Sequence, residues 1–338
     1  MCVYVFRHNH GGADVSELII GVDLGGTNVK TALVSRDKKV LGKDSRPTRA
    51  EEGPEAVMTC MAESVEAVIA QTGARRDDVL AAGIGAPGPM NWQTGVVYSP
   101  PNLPGWKNVP LADEMTKRLG FPVYVDNDAN VACYGEYWLG AGQGAENMCL
   151  LTLGTGVGGG IVVFGQLLRG IDGTAAEIGH LKVMRGGRAC GCGATGCLEA
   201  YGSVTGMVRT AVEGIESGRK TILTDWCKGD LKAITGKMIS DGIEQGDEFC
   251  RWVMNETGVW LGIGISSLIN LLNPEKVILC GGMIAAGDVL FDPIRKTARE
   301  LTFEVPANRA QILAAGLGAD SGVIGSAGCA LARFESGI

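Results

Sequence analysis

The chain has 338 residues, of which 46% are hydrophobic and 20% charged, and it carries a formal net charge of −7 at pH 7. This acidic balance excludes a basic surface for nucleic acid or for an anionic membrane, and no apolar stretch reaches the ~18 residues of a membrane span. Length and composition favour a densely packed α/β protein that binds a small molecule, and we expect two domains.

The start of the chain has neither the basic segment nor the long apolar core of a secretion signal. After Phe6, residues 1–17 are polar and rich in glycine, which predicts a disordered extension in which His8 and His10 are solvated. Most of the 11 cysteines occur singly, largely inside apolar stretches, as reduced and buried thiols do. These features predict a cytoplasmic protein.

Two β-hairpins with glycine turns are predicted along the chain. Residues 18–22 form an apolar strand, Leu24-Gly25-Gly26-Thr27 forms the turn, and residues 29–34 resume an extended pattern. The same plan recurs far downstream in residues 149–153, 154–160 and 161–164. Two hairpins of one design suggest that the protein has two related halves.

Strands and helices alternate in the rest of the chain, which indicates a mixed or largely parallel sheet. Helices are predicted at 55–71, 111–119, 129–138, a stretch ending near 272, and 322–334, and strands at 79–86, 122–125 and 276–280. We expect a small α/β domain at 18–127 and a large α/β domain at 128–338. The last helix is expected to pack back on the small domain.

Both glycine turns are suited to binding phosphate. Several backbone N–H groups hold phosphate oxygens at once, which requires a turn free of Cβ atoms. Asp23 precedes the first turn, where a carboxylate can orient the hydration shell of Mg²⁺. Each turn alone is also compatible with an ordinary tight hairpin. Neither has the GxxxxGK[ST] spacing, nor GxGxxG at a helix start, so P-loop and Rossmann sites are disfavoured.

A cluster of metal-binding residue types lies in the second half of the chain. Cys190, Cys192 and Cys197 fall within a span of eight residues, and His180 lies ten residues upstream of Cys190. Four such ligands suit a closed tetrahedral Zn²⁺ site that orders a loop. Unligated cysteines or a redox pair remain an alternative, because the C-x-C spacing is tighter than a zinc-finger knuckle.

An acidic segment, Asp126-Asn127-Asp128, lies between the predicted strand 122–125 and the predicted helix 129–138. The carboxyl end of a strand is where open α/β sheets bind ligands. An aspartate held there can accept the proton of a hydroxyl group during phosphoryl transfer. Capping of the helix by Asp128 is an equal alternative.

Two glutamates flank the Cys/His cluster. Glu177 precedes His180 by three residues and shares a turn with it if the segment is helical, and Glu199 follows Cys197 by two residues. Carboxylates of this kind bind sugar hydroxyls, but exposed glutamates are often only solvated. The residues alone leave both interpretations open.

Together the motifs resemble the ROK sugar kinases, and within them the bacterial glucokinases, from about Leu18 to Leu331. The likeness is carried by Asp23-Leu-Gly-Gly-Thr27, Leu153-Gly-Thr-Gly-Val-Gly-Gly-Gly160, Glu177-Ile-Gly-His180 and Cys190-x-Cys192-Gly-x-x-Gly-Cys197-x-Glu199. The resemblance implies an actin-like ATPase fold of the ribonuclease H-like type, with two domains and a cleft between them. It also implies transfer of the γ-phosphoryl group of ATP to the 6-hydroxyl of a hexose, with glucose favoured.

The resemblance also assigns residues. It implies that Asp128 is the general base and that the sugar is bound by Gly88, Asn102, Asn127, Asp128, Glu177, His180 and Glu199. ATP would contact Asp23, Gly25, Gly26, Thr27, Gly154, Thr155, Gly156, Gly281 and Gly282. Zn²⁺ would be held by His180, Cys190, Cys192 and Cys197, and Mg²⁺ would accompany ATP. A homodimer or homotetramer is implied, without nucleic acid or membrane partners.

Other members of the family provide the alternatives. ROK repressors carry a helix-turn-helix domain before the first phosphate loop, and only 22 residues precede Asp23 here, so we expect a kinase. Kinases for fructose, mannose, allose or N-acetylmannosamine are nearer alternatives. Polyphosphate-using glucokinases usually lack the full zinc motif, which favours ATP as the donor.

Overall fold

The computed structural model describes residues 17–100 and 102–337. The predicted N-terminal extension, with His8 and His10, therefore lies outside the described residues except for Glu17. Within them the fold is built on two five-stranded sheets and a small three-stranded sheet.

The first sheet has the strand order β3-β2-β1-β4-β8. Strands β1, β2 and β3 are antiparallel neighbours, whereas β4 pairs parallel with both β1 and β8. The strands are β1 (Leu18–Leu24), β2 (Asn28–Ser35), β3 (Val40–Pro47), β4 (Val79–Ala86) and β8 (Val123–Asn127). The predicted first hairpin is thereby confirmed, with Leu18 opposite Ser35 and Leu24 opposite Val29.

The second sheet repeats this arrangement in the order β11-β10-β9-β12-β13. Its first three strands are again antiparallel neighbours, and β12 again pairs parallel on both sides. The strands are β9 (Met148–Leu153), β10 (Val157–Val163), β11 (Gln166–Leu167), β12 (Lys276–Cys280) and β13 (Gln311–Ala314). The common strand order and directions confirm the two related halves suggested by the paired glycine turns.

The third sheet, in the order β5-β6-β7, lies in the connection between β4 and β8. Its strands are β5 (Met90–Asn91), β6 (Val96–Val97) and β7 (Val109–Pro110). Helices α1 and α2 cover one face of the first sheet, and α3 follows β8 directly. Their bounds are α1 (Pro54–Thr72), α2 (Leu111–Leu119) and α3 (Asp128–Trp138).

A helical layer covers the second sheet and contains the largest apolar core of the protein. Its longest member, α8, packs closely on α9, since a Cβ on Gly258 or Gly262 would lie 2.6 Å from Pro293 or Thr297. The helices are α4 (Glu199–Gly202), α5 (Val204–Glu216), α6 (Leu223–Trp226), α7 (Gly236–Glu244), α8 (Glu248–Leu272), α9 (Asp288–Glu300) and α10 (Glu304–Arg309).

The last helix, α11 (Ser321–Ser336), packs back on the first sheet, as the sequence predicts. A Cβ on Gly21 would lie 1.9 Å from the Val323 carbonyl oxygen, and one on Gly83 would lie equally close to that of Ser326. Only glycine allows helix and strands to approach this closely. The helix therefore covers the face of the sheet opposite α1, while the proposed domain boundary near residue 127 stays a prediction.

The remaining expectations from composition concern membranes and thiols. None of the helices in the described part of the chain is both long and apolar enough to cross a membrane. The described cysteines outside the Cys/His cluster are free and buried, as predicted: Cys60, Cys133, Cys149, Cys227, Cys250, Cys280 and Cys329.

Candidate active site

A cavity of about 750 Å³ is lined by both halves of the protein. The first half contributes the ends of β1 and β8, and the second contributes the turn between β9 and β10 together with the segment that follows β11. Predicted site residues on its wall are Asp23, Gly88, Asn127, Asp128, Gly154, Thr155, Gly156, Glu177, His180, Glu199 and Gly281. The structure thus gathers most of the predicted sugar and nucleotide residues in one place.

Several predicted residues are not part of this wall in the described structure: Gly25, Gly26, Thr27, Asn102 and Gly282. The first glycine turn is closed by a short local bond, in which Gly25 N donates to Asn28 O at 3.0 Å. Thr48 Oγ1 donates to Gly25 O at 2.6 Å. Asn102 lies beside this turn, where a Cβ on Gly26 would be 3.2 Å from its Cβ.

Two carboxylates, Asp23 near the end of β1 and Asp128 directly after β8, line the cavity. Desolvation by the surrounding protein raises the pKa of the Asp128 carboxyl above its usual range; the Ala129 backbone N–H opposes this shift and the Asp23 carboxylate adds to it. Burial likewise raises the pKa of Asp23, and the Lys30 ammonium opposes that shift. Raised carboxyl pKa values in a cavity are typical of groups that exchange protons or bind cations.

The structure decides whether Asp128 acts as a helix cap. The N-cap of α3 is Asn127, whose side-chain oxygen accepts hydrogen bonds from Ala129 N and Asn130 N. Asp128 is the first helical residue, and its Oδ1 accepts from the backbone N–H next in sequence, that of Ala129, at 2.8 Å, which is not a bond that caps the helix. Capping therefore does not account for the carboxylate of Asp128.

The second glycine turn is supported by distant parts of the chain. Glu199 Oε2 accepts a hydrogen bond from Val157 N at 3.0 Å, and a Cβ on Gly156 would lie 2.4 Å from that oxygen. A Cβ on Gly154 would meet open space. Gly154 thus presents bare backbone to the cavity, whereas Gly156 makes room for the carboxylate of Glu199.

The Cys/His cluster forms one compact group. One ligand atom each from His180, Cys190, Cys192 and Cys197 lies within 4.8 Å of all the others. Cys190 Sγ is 3.7 Å from His180 Nδ1, and Cys192 Sγ is 3.7 Å from Cys197 Sγ. A tetrahedral zinc ion with bonds of ~2.3 Å to sulfur separates its ligand atoms by about 3.8 Å. The four side chains are therefore close to the separations that such an ion requires.

The segment that carries Glu177 is strained. Ala176 has a φ of 65°, a left-handed conformation that is unfavourable for a residue with a side chain. Residues Ile178–His180 then form a 3-10 turn, so Glu177 and His180 are close although the segment is not an α-helix. The strained residue lies directly before a predicted sugar ligand.

Sequence reasoning missed part of the wall. The loop before α11 contributes Gly318 and Ala319, the first turn of α11 contributes Ser321 and Gly322, and the segment after β11 contributes Gly173, Thr174 and Ala175. Lys30 Nζ donates to Ala319 O at 2.9 Å, and a Cβ on Gly322 would lie 2.9 Å from Asp23 Oδ2. The sequence feature that could have indicated this part of the wall is the group of glycines at 316, 318 and 322 around the start of the helix, because glycines bunched in this way indicate close backbone approach.

Comparison with known proteins places this site in a family. The ROK family model matches residues 19–333. The glucokinase of Halalkalibacterium halodurans is 40% identical over 308 residues, which are 90% of this chain and 92% of that protein. The crystal structure of a ROK family glucokinase from Streptomyces griseus, in complex with glucose and AMPPNP, has a TM-score of 0.76 at 37% identity, covering 93% of this chain and 99% of that one.

A second solved structure has the same overall fold. The ROK hexokinase from Thermus thermophilus has a TM-score of 0.80 at 31% identity and covers 94% of this chain and 99% of its own. The similarity to these ROK structures, together with the two sheets of one strand order, shows that the chain has an actin-like ATPase fold. The chain belongs to the ROK family.

Proposed function

We propose that the protein phosphorylates a hexose, most simply glucose, at its 6-hydroxyl with ATP as the phosphoryl donor. The observation that supports this most is the meeting of Asp128 with Glu177, His180, Glu199 and the bare backbone of Gly154 around one cavity. A base, a set of polar groups for hydroxyls and an open backbone turn for phosphates are what a sugar kinase needs.

Asp128 is the proposed general base. Phosphoryl transfer requires that the attacking hydroxyl lose its proton as the bond to phosphorus forms. The Asp128 carboxylate lines the cavity, and its raised pKa makes it a better proton acceptor than an ordinary aspartate. Neighbouring Asn127 uses its side-chain oxygen to cap α3, so its contact with the sugar would come from the side-chain NH₂ group.

The nucleotide phosphates are proposed to lie along the second glycine turn and near the end of β1. Backbone N–H groups of Thr155 and Gly156 are the donors available there, with Gly281 further along the wall. Gly154 N donates to Gly156 O at 3.1 Å, so Gly154 contributes a surface without a side chain against which a phosphate can lie. Mg²⁺ bound with ATP would neutralise phosphate charge, and Asp23 would hold it through its hydration shell. The first turn, Gly25 to Thr27, and Gly282 remain proposed contacts that require the cleft to close further.

Glu177, His180 and Glu199 are the proposed sugar ligands of the second half, with Gly88 and Asn102 completing the pocket. His180 directs Nδ1 towards Cys190 Sγ, which leaves its other ring nitrogen for a hydroxyl. Zn²⁺ held by His180, Cys190, Cys192 and Cys197 would order the loop that ends in Glu199. The described side chains in this loop thus serve sugar binding rather than the chemical step.

The phosphoryl donor, the cellular location and the oligomeric state are part of the same proposal. Other hexoses, and polyphosphate in place of ATP, are the alternatives for this site. Free, buried cysteines are typical of cytoplasmic proteins, which supports a cytoplasmic enzyme. Assembly into a homodimer or homotetramer and the two domains 18–127 and 128–338 stay predictions, to be tested by light scattering and limited proteolysis.

A coupled ADP-release assay tests the proposal. The panel contains glucose, fructose, mannose, allose and N-acetylmannosamine with ATP, and a parallel sugar-phosphate assay uses polyphosphate. We expect the highest kcat/KM with glucose and ATP, loss of activity in Asp128→Asn, and full activity in Asp113→Asn, an exposed aspartate on α2. Release of ADP without any sugar dependence would contradict the proposed function.

A further inference from the structure

Asp126, two residues before the proposed base, is buried, and both oxygens of its carboxylate accept hydrogen bonds. Its Oδ1 accepts hydrogen bonds from Asn127 N at 2.8 Å and from Asn130 Nδ2 at 3.0 Å. These bonds tie the end of β8 to the first turn of α3, and Asp128 lies between the two. The position of the Asp128 carboxylate therefore depends on where Asp126 is held.

Arg169, in the other half of the protein, fixes the Asp126 side chain through an ion pair. Its Nε donates to Asp126 Oδ2 at 2.6 Å, and the two side chains are only 16% and 6% exposed. Arg169 follows β11 and begins the segment that leads through Gly173 and Thr174 to Glu177. The ion pair thus connects the segment that carries a sugar ligand with the strand that carries the base.

A third segment meets the same guanidinium group. The Arg169 guanidinium lies 4.8 Å from the ring centre of Trp92, in the loop after β5. Arg333 of α11 lies 5.2 Å from the same ring and donates from Nη1 to Trp92 O at 2.7 Å. The Trp92 loop continues from Gly88, Pro89 and Met90, which line the cavity. Arg169 therefore contacts the end of β8 and the Trp92 loop, and it lies itself on a third segment, the one after β11, whose later residues line the cavity.

We infer that Arg169, through its ion pair with Asp126, is a positioning residue that sets the Asp128 carboxylate relative to the bound sugar. The inference rests on the proposed function. Displacement of a catalytic group by about 1 Å costs on the order of 100-fold in rate. Because the described contacts of Arg169 do not include the predicted sugar ligands themselves, its loss should act on kcat more than on the KM for sugar.

Removal of one partner of a buried ion pair also destabilises a protein, so the design must separate stability from positioning. The variants are Arg169→Ala, Asp126→Asn, the double variant, and Arg209→Ala as the control. Arg209 forms an exposed i,i+4 ion pair with Glu213 on α5 and is not part of the cavity wall. Thermal melting gives the folded fraction of each variant, and kcat is expressed per folded enzyme.

We expect kcat of Arg169→Ala to fall about 10- to 100-fold, while the KM for glucose changes by less than about threefold. The kcat of Asp126→Asn should fall by a similar factor. The kcat of the double variant should be no lower than that of the poorer single variant, because both changes break the same interaction. Arg209→Ala should retain the kcat of the parent.

Chemical rescue provides the decisive readout. Guanidinium chloride at tens of millimolar should raise kcat of Arg169→Ala at least about fivefold, because the free cation can occupy the vacated place beside Asp126, whereas sodium chloride at the same concentration should not. Guanidinium weakens folded structure, so a purely structural defect would worsen under this treatment. Rescue therefore distinguishes positioning from stability.

Two results would overturn the inference. One is a folded Arg169→Ala with kcat within twofold of the parent; the other is a loss of kcat that guanidinium does not restore and that adds to the loss in Asp126→Asn. If Arg169→Ala does not fold, Asp126→Asn decides alone, and unchanged kcat in that variant is contrary to the inference. A parent enzyme that phosphorylates no hexose would instead refute the proposed function.

Discussion

The two halves share a strand order but finish their glycine turns differently. In the first half, the turn after β1 is closed by Asn28 and Thr48, and its glycines lie away from the cavity wall. In the second half, Glu199 accepts from Val157 N, and Thr205 Oγ1 donates to Thr155 O at 2.8 Å. The second turn is thereby fixed to the segment that carries the Cys/His cluster.

This difference suggests a division of labour between the duplicated units. The first half, counted through β8 and the first turn of α3, supplies the carboxylates Asp23 and Asp128, whose pKa values are raised by desolvation in the cavity. The second half supplies Glu177, His180, Glu199 and the bare backbone of Gly154. Variants in the first half should therefore affect the chemical step, and variants in the second should affect substrate binding.

The largest expected effect is that of Asp128→Asn. Loss of the general base should lower kcat by about 10² to 10⁴-fold, while glucose affinity measured by calorimetry stays within about threefold of the parent. The exposed Asp113→Asn variant is the control for the loss of one carboxylate. Near-full turnover of Asp128→Asn would break the assignment of chemistry to the first half.

The next effect concerns metal removal from the second half. Chelation, or Cys192→Ser, should release the metal, lower the melting temperature and raise the KM for glucose about 10- to 100-fold. The control is Cys227→Ser, because buried Cys227 donates to Thr224 O and serine can make the same bond. Elemental analysis should find zinc in the parent and in Cys227→Ser; a parent without bound metal would contradict the proposed zinc site.

A smaller effect compares the two turns directly. In Gly156→Ala the new methyl group would collide with Glu199 Oε2 at 2.4 Å, and in Gly26→Ala it would lie 3.2 Å from Asn102 Cβ. We expect the KM values for glucose and ATP to rise about tenfold in Gly156→Ala, since displacement of Glu199 costs its bond to Val157 N, and to rise less in Gly26→Ala, because the exposed Asn102 side chain can give way. Equal losses in both variants would show that the turns are equivalent.

The smallest effect concerns stability and pH. The raised pKa of Asp128 means that its ionised form is disfavoured in the folded protein, so Asp128→Asn should raise the melting temperature at neutral pH. As the pH falls through the raised pKa, the parent aspartate becomes protonated, and the gain should disappear at and below the ordinary carboxyl value of about 4. Thermal melts at several pH values measure this; a gain that is constant with pH would indicate another cause.

Much of the fold was predictable because the signals are local. Alternation and glycine turns place β1, β2, β9 and β10, and Pro54 and Gly73 mark the bounds of α1. The strand predicted at 122–125 is instead Val123–Asn127, because Asp126 and Asn127 pair with Gly85 and Ala86 of β4. Such an extension depends on a neighbouring strand that a local pattern does not contain.

The candidate site was predictable only as far as its motifs are contiguous. Asp128 and the Cys/His cluster are read from short stretches, whereas the wall formed by Ala319 and by Gly322 at the start of α11 depends on this part of the chain returning to Lys30 and Asp23. Arg169 and Asp126 lie far apart in the sequence, and neither belongs to a motif on which the resemblance rests. Contacts between distant segments are set by tertiary packing, which no local pattern expresses.

The position of α11 has a consequence for synthesis on the ribosome. Gly21 and Gly83, in strands made early, lie against the backbone of Val323 and Ser326, which are made late. After β8 completes the first sheet at Asn127, one of its faces therefore stays uncovered while residues 128–320 emerge. The nascent chain must tolerate this exposed apolar face, or have it shielded by a chaperone, until its last helix is released.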